Sequence, residues 1–244
     1  MDGILLVDKP ESWTSHDVVG KIRSSLRSLW QTSQPADLDR AVKFRVGHAG
    51  TLDPMATGLL IVLVGKATKA QADFMKLDKW YTAEMTLGAI SSTDDAEGKI
   101  TTDLATGRAQ PPTLADVETV LQRFRGPITQ LPPQHSAIKI DGQRAYKLAR
   151  RGEPVELHPR PVIVHEISGI SYHYPRLGFN VHVSSGTYIR SLARDIGAGL
   201  GVGGYLSSLR RTAIGEWSVA TAVSPQLTAE ELRRQIIPLE QAFI

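Results

Sequence analysis

Cysteine is absent from all 244 residues, which excludes disulfides, thiolate nucleophiles and cysteine-ligated metal together and fits a reducing compartment. Long apolar runs are missing too. None approaches the roughly 20 residues that cross a bilayer. The opening MDGILLVDKP lacks the basic start and long apolar core of a signal peptide. The expectation is a cytoplasmic protein without membrane contact. Charge of one sign is scarce: 28 Lys plus Arg against 25 Asp plus Glu leave +3, too little to argue nucleic-acid binding from the total. Its distribution has to decide. The seven histidines show no paired ligand spacing such as HxxxH, so no metal is expected. What is present is ordinary globular composition, 41% apolar and 22% charged, which excludes disordered and low-complexity classes. At roughly 150 residues per domain, the length allows one large domain or one with a small appendage.

Periodicity supplies the elements. Gly3 to Val7 reads as a buried strand, and Ser15 as the N-cap of a helix whose apolar positions Val18, Val19, Ile22, Leu26, Leu29 and Trp30 share one face. Residues 31–43 read as a surface loop, 47–58 as a turn-rich loop, and 58–65 as a strand of continuous apolar residues. From Lys79 to Leu87 the side chains alternate, placing Tyr81, Ala83, Met85 and Leu87 on one face of a half-buried strand. A helix follows with Leu114, Val117, Val120, Leu121 and Phe124 on one stripe. Strands are expected at about 162–170 and 178–184, a short helix near 188–199, an extended segment through Trp217, and a capped amphipathic helix from Thr228 to near the end. The lack of strict βαβ alternation favours an α+β fold, a mixed and largely antiparallel sheet with helices packed on it. Residues 1–227 read as one domain that includes an irregular, basic insertion at 126–160, with 228–244 as a helical tail.

Asp53 is the first candidate for chemistry. Glycines at 47, 50 and 58 permit close backbone approach by a large ligand, and Pro54 stiffens the turn after the carboxylate. Locally, an acid before proline either caps a turn or is presented rigidly to a ligand. The wider pattern bears on this choice. GHAGTLDPMATGLL (47–60) resembles the catalytic motif of the TruB family of tRNA pseudouridine synthases. GILLVDKPESWTSHDVV (3–19), KWYTAEMTLG (79–88), SSGTYIRSLARDIG (184–197) and LSSLRRTAIG (206–215) resemble its other motifs in the same order, and PPQHSAIKIDGQRAYKLARRG (132–152) resembles its RNA-gripping insertion. The resemblance covers nearly the whole chain.

The resemblance implies isomerisation of a uridine at position 55 in the tRNA T-loop: the C1′–N1 bond breaks, the uracil turns, and C5 joins C1′. No cofactor is implied. Asp53 maps to the nucleophile, and Arg190 to the arginine that pairs with it, a cation suited to keeping a desolvated carboxylate ionised. Tyr81 maps to the tyrosine that stacks on the flipped uracil and takes the C5 proton, two jobs a phenol can combine. Tyr188 maps to a supporting pocket residue, Leu209 to the aliphatic residue against the target base, Lys69 to a lysine near the catalytic loop, and His48 to the histidine that fills the gap left by the flipped base.

Charge distribution agrees with an RNA partner. Between Lys139 and Arg160, six basic residues face three acids, a local +3 equal to the whole chain's excess. Lys139, Arg144, Arg150 and Arg151 there, with Arg210 and Arg211, are the expected phosphate contacts. Bacterial family members usually continue past a PLE-like segment, here Pro238 to Glu240, into a PUA-type RNA-binding domain, whereas this sequence stops at Ile244. Recognition is therefore expected to centre on the T-arm, by a monomer with no obligatory protein partner. The competing readings are an RNA-guided pseudouridine synthase subunit and a non-catalytic RNA-binding or tRNA-folding protein. Retention of Asp53, Tyr81 and Arg190 together argues against the latter.

Overall fold

Two continuous apolar runs, GILLV and GLLIVLV, anchor the computed structural model. They form β1 (Gly3–Lys9) and β3 (Thr57–Val64), paired antiparallel from Gly3 opposite Val64 to Lys9 opposite Gly58. Strands buried on both faces need apolar residues at every position. Leu5, Val7, Leu60, Val62 and Val64 enter one core layer, and Ile4, Leu6, Leu59, Ile61 and Leu63 the other.

The structure describes residues 1–33, 43–102, 110–134 and 157–242, with the backbone alone of 139–140 and 143–144. The chain forms two units, Met1–Lys79 with Arg210–Ile244, and Trp80–Leu209. In the first, β2 (Val46–Ala49) pairs antiparallel with the Ile61–Val64 stretch of β3. The second half of β12 (Gly204–Ile214) runs parallel to β3 at Thr57 and Gly58, and β13 (Trp217–Ser218) turns back on it. Helix α1 (Ser15–Thr32) buries Val18, Val19, Ile22 and Leu26 against the first layer. Each such side chain contributes about 1.5–3 kcal/mol of burial. A 3₁₀ turn, Gly65–Ala70, and α2 (Gln71–Lys76) cover the second layer with Ala67 and Phe74.

The second unit is built on a sheet in the order β12, β4 (Lys79–Leu87), β11 (Arg176–Val183), β10 (Arg160–His173), β7 (Gly126–Gln130). Strands β10 and β11 form a hairpin, and β7 pairs antiparallel with the start of β10. Helices α3 (Leu114–Arg123) and α4 (Ile189–Gly199) contribute Val117, Val120, Leu121, Ile189, Leu192 and Ile196 to the buried residues. Two small hairpins complete it, β5 (Ile90–Ser91) with β6 (Ile100–Thr101), and β8 (Lys139–Ile140) with β9 (Gln143–Arg144). The expected α+β class and largely antiparallel sheet are both present.

Three local expectations change. Thr14, one residue earlier than Ser15, caps α1: its hydroxyl accepts from Asp17 N, and Asp17 accepts from Thr14 N in return. The tail helix α5 (Ala229–Arg234) has the expected Thr228 cap but spans only six residues. Ile237 leaves it to pair with Ile4 at the edge of β1, and Pro238 precludes continuation. Residues 47–49 of the expected loop belong to β2, because a free edge of β3 is available there. Among the described residues no helix is long and apolar enough to cross a membrane.

Lys79 closes the first unit with its ammonium donating to the carbonyls of Met75, at 2.7 Å, and Leu77. Burial, reinforced by the Arg211 cation, lowers its pKa from the ordinary 10.5 to about 8. The folded value lies below the unfolded one, so across this window the unfolded chain holds more protons and stability rises with pH. The free energy of urea unfolding is expected to climb between pH 8 and 10. Lys79→Met should flatten that climb, and an unchanged slope in the variant would assign it to other groups.

Candidate active site

The Asp53 loop leaves β2 at Ala49 and enters β3 at Thr57, and backbone clamps hold it at both ends and in the middle. Lys9 is fully buried, and its ammonium donates to the carbonyls of Pro10 (2.9 Å), Trp13 (2.6 Å) and Pro54 (3.2 Å). Ser12 N donates to the same Pro54 carbonyl at 2.9 Å. The Ser15 hydroxyl accepts from Leu52 N at 2.8 Å and donates to Leu52 O at 3.1 Å. Arg211, 1% exposed, donates to Gly50 O at 3.0 Å and Leu59 O at 2.7 Å. Hydrogen bonds from charged donors contribute about 1.5–3 kcal/mol each. The peptides on either side of Asp53 are thus fixed, and Ala56 N closes the turn on the Asp53 carbonyl at 3.1 Å. The side chain itself is half-buried. Gly58 is required here: its φ is +101°, and a Cβ would lie 2.3 Å from the Arg211 carbonyl.

His48 on β2 meets His16 edge to face at 5.4 Å, and its carbonyl accepts from Gln71 Nε2 at 2.7 Å. Lys69 is exposed on the 3₁₀ turn. Arg210 makes a bidentate pair with Asp8, at 3.0 and 2.8 Å, on the half-exposed side of β12. Arg211 departs from the expected phosphate contact: its guanidinium is consumed by the interior carbonyls of Gly50 and Leu59 and works as part of the loop clamp.

In the second unit Tyr81 lies on the buried face of β4, 8% exposed, and Leu209 is buried on β12. Trp80 points to the opposite face of β4 and stacks on His182 at 3.9 Å, which contacts His165 at 4.4 Å. Tyr188 is the N-cap residue of α4, with its peptide held on both sides by Gln130: Tyr188 N donates to Oε1 at 2.8 Å and its carbonyl accepts from Nε2 at 3.1 Å. Two residues on, Arg190 is 5% exposed. One terminal nitrogen, Nη1, sits 3.2 Å from both Asp95 Oδ2 and the Thr93 carbonyl. Asp95 is itself fastened, accepting from Thr93 Oγ1 at 2.5 Å and Glu97 N at 3.0 Å. The neighbouring Asp94 carbonyl receives Leu206 N of β12 at 3.0 Å.

Arg194, one turn beyond Arg190, ties this region to the root of the insertion. It pairs with Asp94 at 2.8 Å and Asp195 at 2.9 Å, and donates to Leu131 O at 3.0 Å, where Ser191 Oγ also donates at 2.9 Å. Burial raises the Asp94 pKa, and the cations of Arg194 and Arg190 work against that rise. Lys139 and Arg144 lie opposite each other in the β8–β9 hairpin, while Arg150 and Arg151 fall outside the described residues. No site role attaches to Lys9, Asp95 or Gln130 in the sequence, which marks Ser15 only as a helix cap. Only Lys9 carried a signal, a lysine closing an apolar strand.

Comparison with known proteins defines the class first. The fold matches pseudouridine synthase chains in two solved structures. One is in a crystal structure of a Cbf5–Nop10–Gar1 complex, with TM-score 0.69, 29% identity and 98% of this chain covered. The other is in an H/ACA RNP bound to a substrate RNA containing 2'-deoxyuridine, with TM-score 0.65, 26% identity and 97% covered. This chain spans 61% and 59% of those two chains. The model of the TruB family pseudouridylate synthase N-terminal domain matches residues 39–189, and that of the tRNA pseudouridylate synthase B C-terminal domain matches 190–244. The tRNA pseudouridine synthase B of Thermobifida fusca (strain YX) is 44% identical over 99% of this chain and 78% of its own length. That of Opitutus terrae is 39% identical over 99% and 95%, and that of Parabacteroides distasonis 41% over 98% and 96%. The chain belongs to the TruB family of pseudouridylate synthases.

The Arg190–Asp95 pair yields a stability prediction. Asp95→Asn removes a carboxylate that a buried guanidinium holds, and breaking a buried pair from one side costs about 3–5 kcal/mol. Urea unfolding of the variant is expected to show a loss of roughly 3 kcal/mol. A loss under about 1 kcal/mol would show that the pair is held together for reasons other than stability.

Proposed function

We propose that this protein isomerises the uridine at position 55 of the tRNA T-loop to pseudouridine, with Asp53 as the nucleophile. The observation that carries the reading is the clamped Asp53 loop: a carboxylate whose flanking peptides are fixed by Lys9, Ser15 and Arg211 loses little further freedom when it meets a substrate. The tRNA pseudouridine synthase B relatives, at up to 44% identity among those compared, support tRNA as the substrate over a guide-RNA partner, since the Cbf5 chain stands at 29%.

In the proposed reaction the uridine is flipped out of the loop, and attack by Asp53 leads to cleavage of C1′–N1. The freed uracil rotates, C5 bonds to C1′ as the bond formed by Asp53 breaks and its carboxylate is released, C5 gives up its proton and N1 gains one, so the product is an isomer of the substrate. Tyr81 stacks on the base and accepts the C5 proton through its phenol oxygen. Arg190, which also pairs with Asp95, is proposed to supply the cation that keeps the Asp53 carboxylate ionised as water leaves. Tyr188 and Leu209 shape the uracil pocket, and His48 enters the space the base vacates. Lys69, Lys139, Arg144, Arg150, Arg151 and Arg210 are proposed for phosphate contacts; Arg210 would have to share its guanidinium with Asp8. The enzyme is proposed to act as a monomer in the cytoplasm.

Asp53→Asn preserves size and removes the nucleophilic charge, so turnover is expected to vanish with RNA affinity nearly unchanged. Tritium release from RNA carrying C5-labelled uridine, alongside a binding titration, measures both. Activity within about tenfold of the unaltered protein, a barrier change under ~1.4 kcal/mol, would overturn the assignment of Asp53.

Tyr81→Phe keeps the ring and removes the proton acceptor. Single-turnover kinetics on the same RNA are expected to show strong slowing with preserved affinity. An unaltered rate would transfer the proton step to another group.

A further inference from the structure

The first unit carries a second basic feature that the sequence motifs did not mark. A cavity of about 770 Å³ is lined by Lys43, Arg45, Lys66 and Lys69, with Trp30 and Phe44 among its other walls. The four cations sit on two short segments whose spacing is fixed: Gly65 N donates to the Arg45 carbonyl at 2.8 Å, tying the approach to β2 to the start of the 3₁₀ turn. Trp30 at the end of α1 stacks on Phe44 with ring centroids 5.3 Å apart. Among the described residues none of the four cations makes an ion pair, whereas Arg190, Arg194 and Arg210 all do. Among the described residues of the lining Asp2 is the one carboxylate, and its Oδ1 accepts from Lys66 N at 2.7 Å.

We propose that this groove binds the phosphodiester backbone of the tRNA outside the T-arm. The proposal rests on the tRNA reading above and adds a contact region to it. Like charges gathered without ion-pair partners among the described residues repel one another, and an occupant that brings several regularly spaced negative charges relieves that repulsion and releases its own counterions. A protein ligand would require acidic residues in a matching row. An RNA backbone carries such a row at every nucleotide, and the aromatic wall gives a ribose or base a surface to pack on. Lys69 belongs to the proposed catalytic-side contacts, so the groove is probed through Lys43 and Lys66, both exposed.

The test compares a full unmodified tRNA transcript with a T-arm stem-loop, using the protein and its Lys43→Glu/Lys66→Glu variant at about 50 and 200 mM salt. For the full tRNA, affinity is expected to fall by roughly tenfold or more, and the slope of log affinity against log salt to become shallower by about 0.7–0.9 per lost contact. Binding and turnover of the stem-loop should stay within about twofold. Lys43→Arg/Lys66→Arg should retain tRNA affinity. Arg233→Glu/Arg234→Glu, with the same change in net charge on the exposed end of α5, should affect both RNAs alike and weakly. Equal losses for stem-loop and tRNA in the Lys43/Lys66 variant, or no loss for tRNA, would overturn the proposal. Failure of the unaltered protein to turn over either RNA would overturn the function proposed above and leave the binding comparison to decide the groove by itself.

Discussion

The buried ammonium of Lys9 is the contact on which the Asp53 loop depends. It sits at the end of β1, where the strand stops being apolar, and joins three carbonyls from two separate stretches of chain, one of them the residue after Asp53. A charge in an apolar core is costly unless its donors are used, and here three carbonyl oxygens take them. The arrangement converts that cost into rigidity. Ser15 and Arg211 hold Leu52 and Gly50 in the same way, so a loop rich in glycine, which by composition should be loose, is pinned at Gly50, Leu52 and Pro54.

The second unit solves a related problem with opposite charges. Arg190 is buried in α4 and meets Asp95 from the β5–β6 region, and Asp95 is aimed by Thr93 and Glu97 N. Arg194, on the next turn of the same helix, grips both Asp94 and the Leu131 carbonyl at the root of the basic insertion. One helix thereby fixes a guanidinium and the segment from which the proposed RNA-gripping insertion departs. The hydrogen bonds of Gln130 to Tyr188 fix the start of that helix from the same strand end.

Basic residues thus divide by job, and residue type alone does not reveal the division. Arg211 and Lys9 are interior scaffolding, Arg190 and Arg194 are held by carboxylates, and Arg210 shares Asp8. Lys43, Arg45, Lys66 and Lys69 line a groove without ion-pair partners among the described residues. A net charge of +3 conceals this, because it sums cations that never meet solvent with those that do.

Much of this protein was legible in the sequence for a simple reason: strand and helix faces are set by local periodicity. The runs of β1 and β3, the alternation of β4 that buries Tyr81, and the stripes of α1 and α3 follow from the spacing of apolar side chains. The Asp53 motif was legible as well, being contiguous and glycine-punctuated. Contacts between residues distant in sequence were not. Ser15 read as a helix cap and serves to hold Leu52, 37 positions away, while the cap passed to Thr14. Arg211 read as a phosphate contact and spans 161 positions to Gly50. The tail helix stopped after six residues because Ile237 found the edge of β1. Sequence by itself determined which residues want burial and which loop carries the acid. Only the tertiary structure decided which polar groups would be spent holding that loop, because a buried donor takes whichever carbonyl the folded chain brings within about 3 Å.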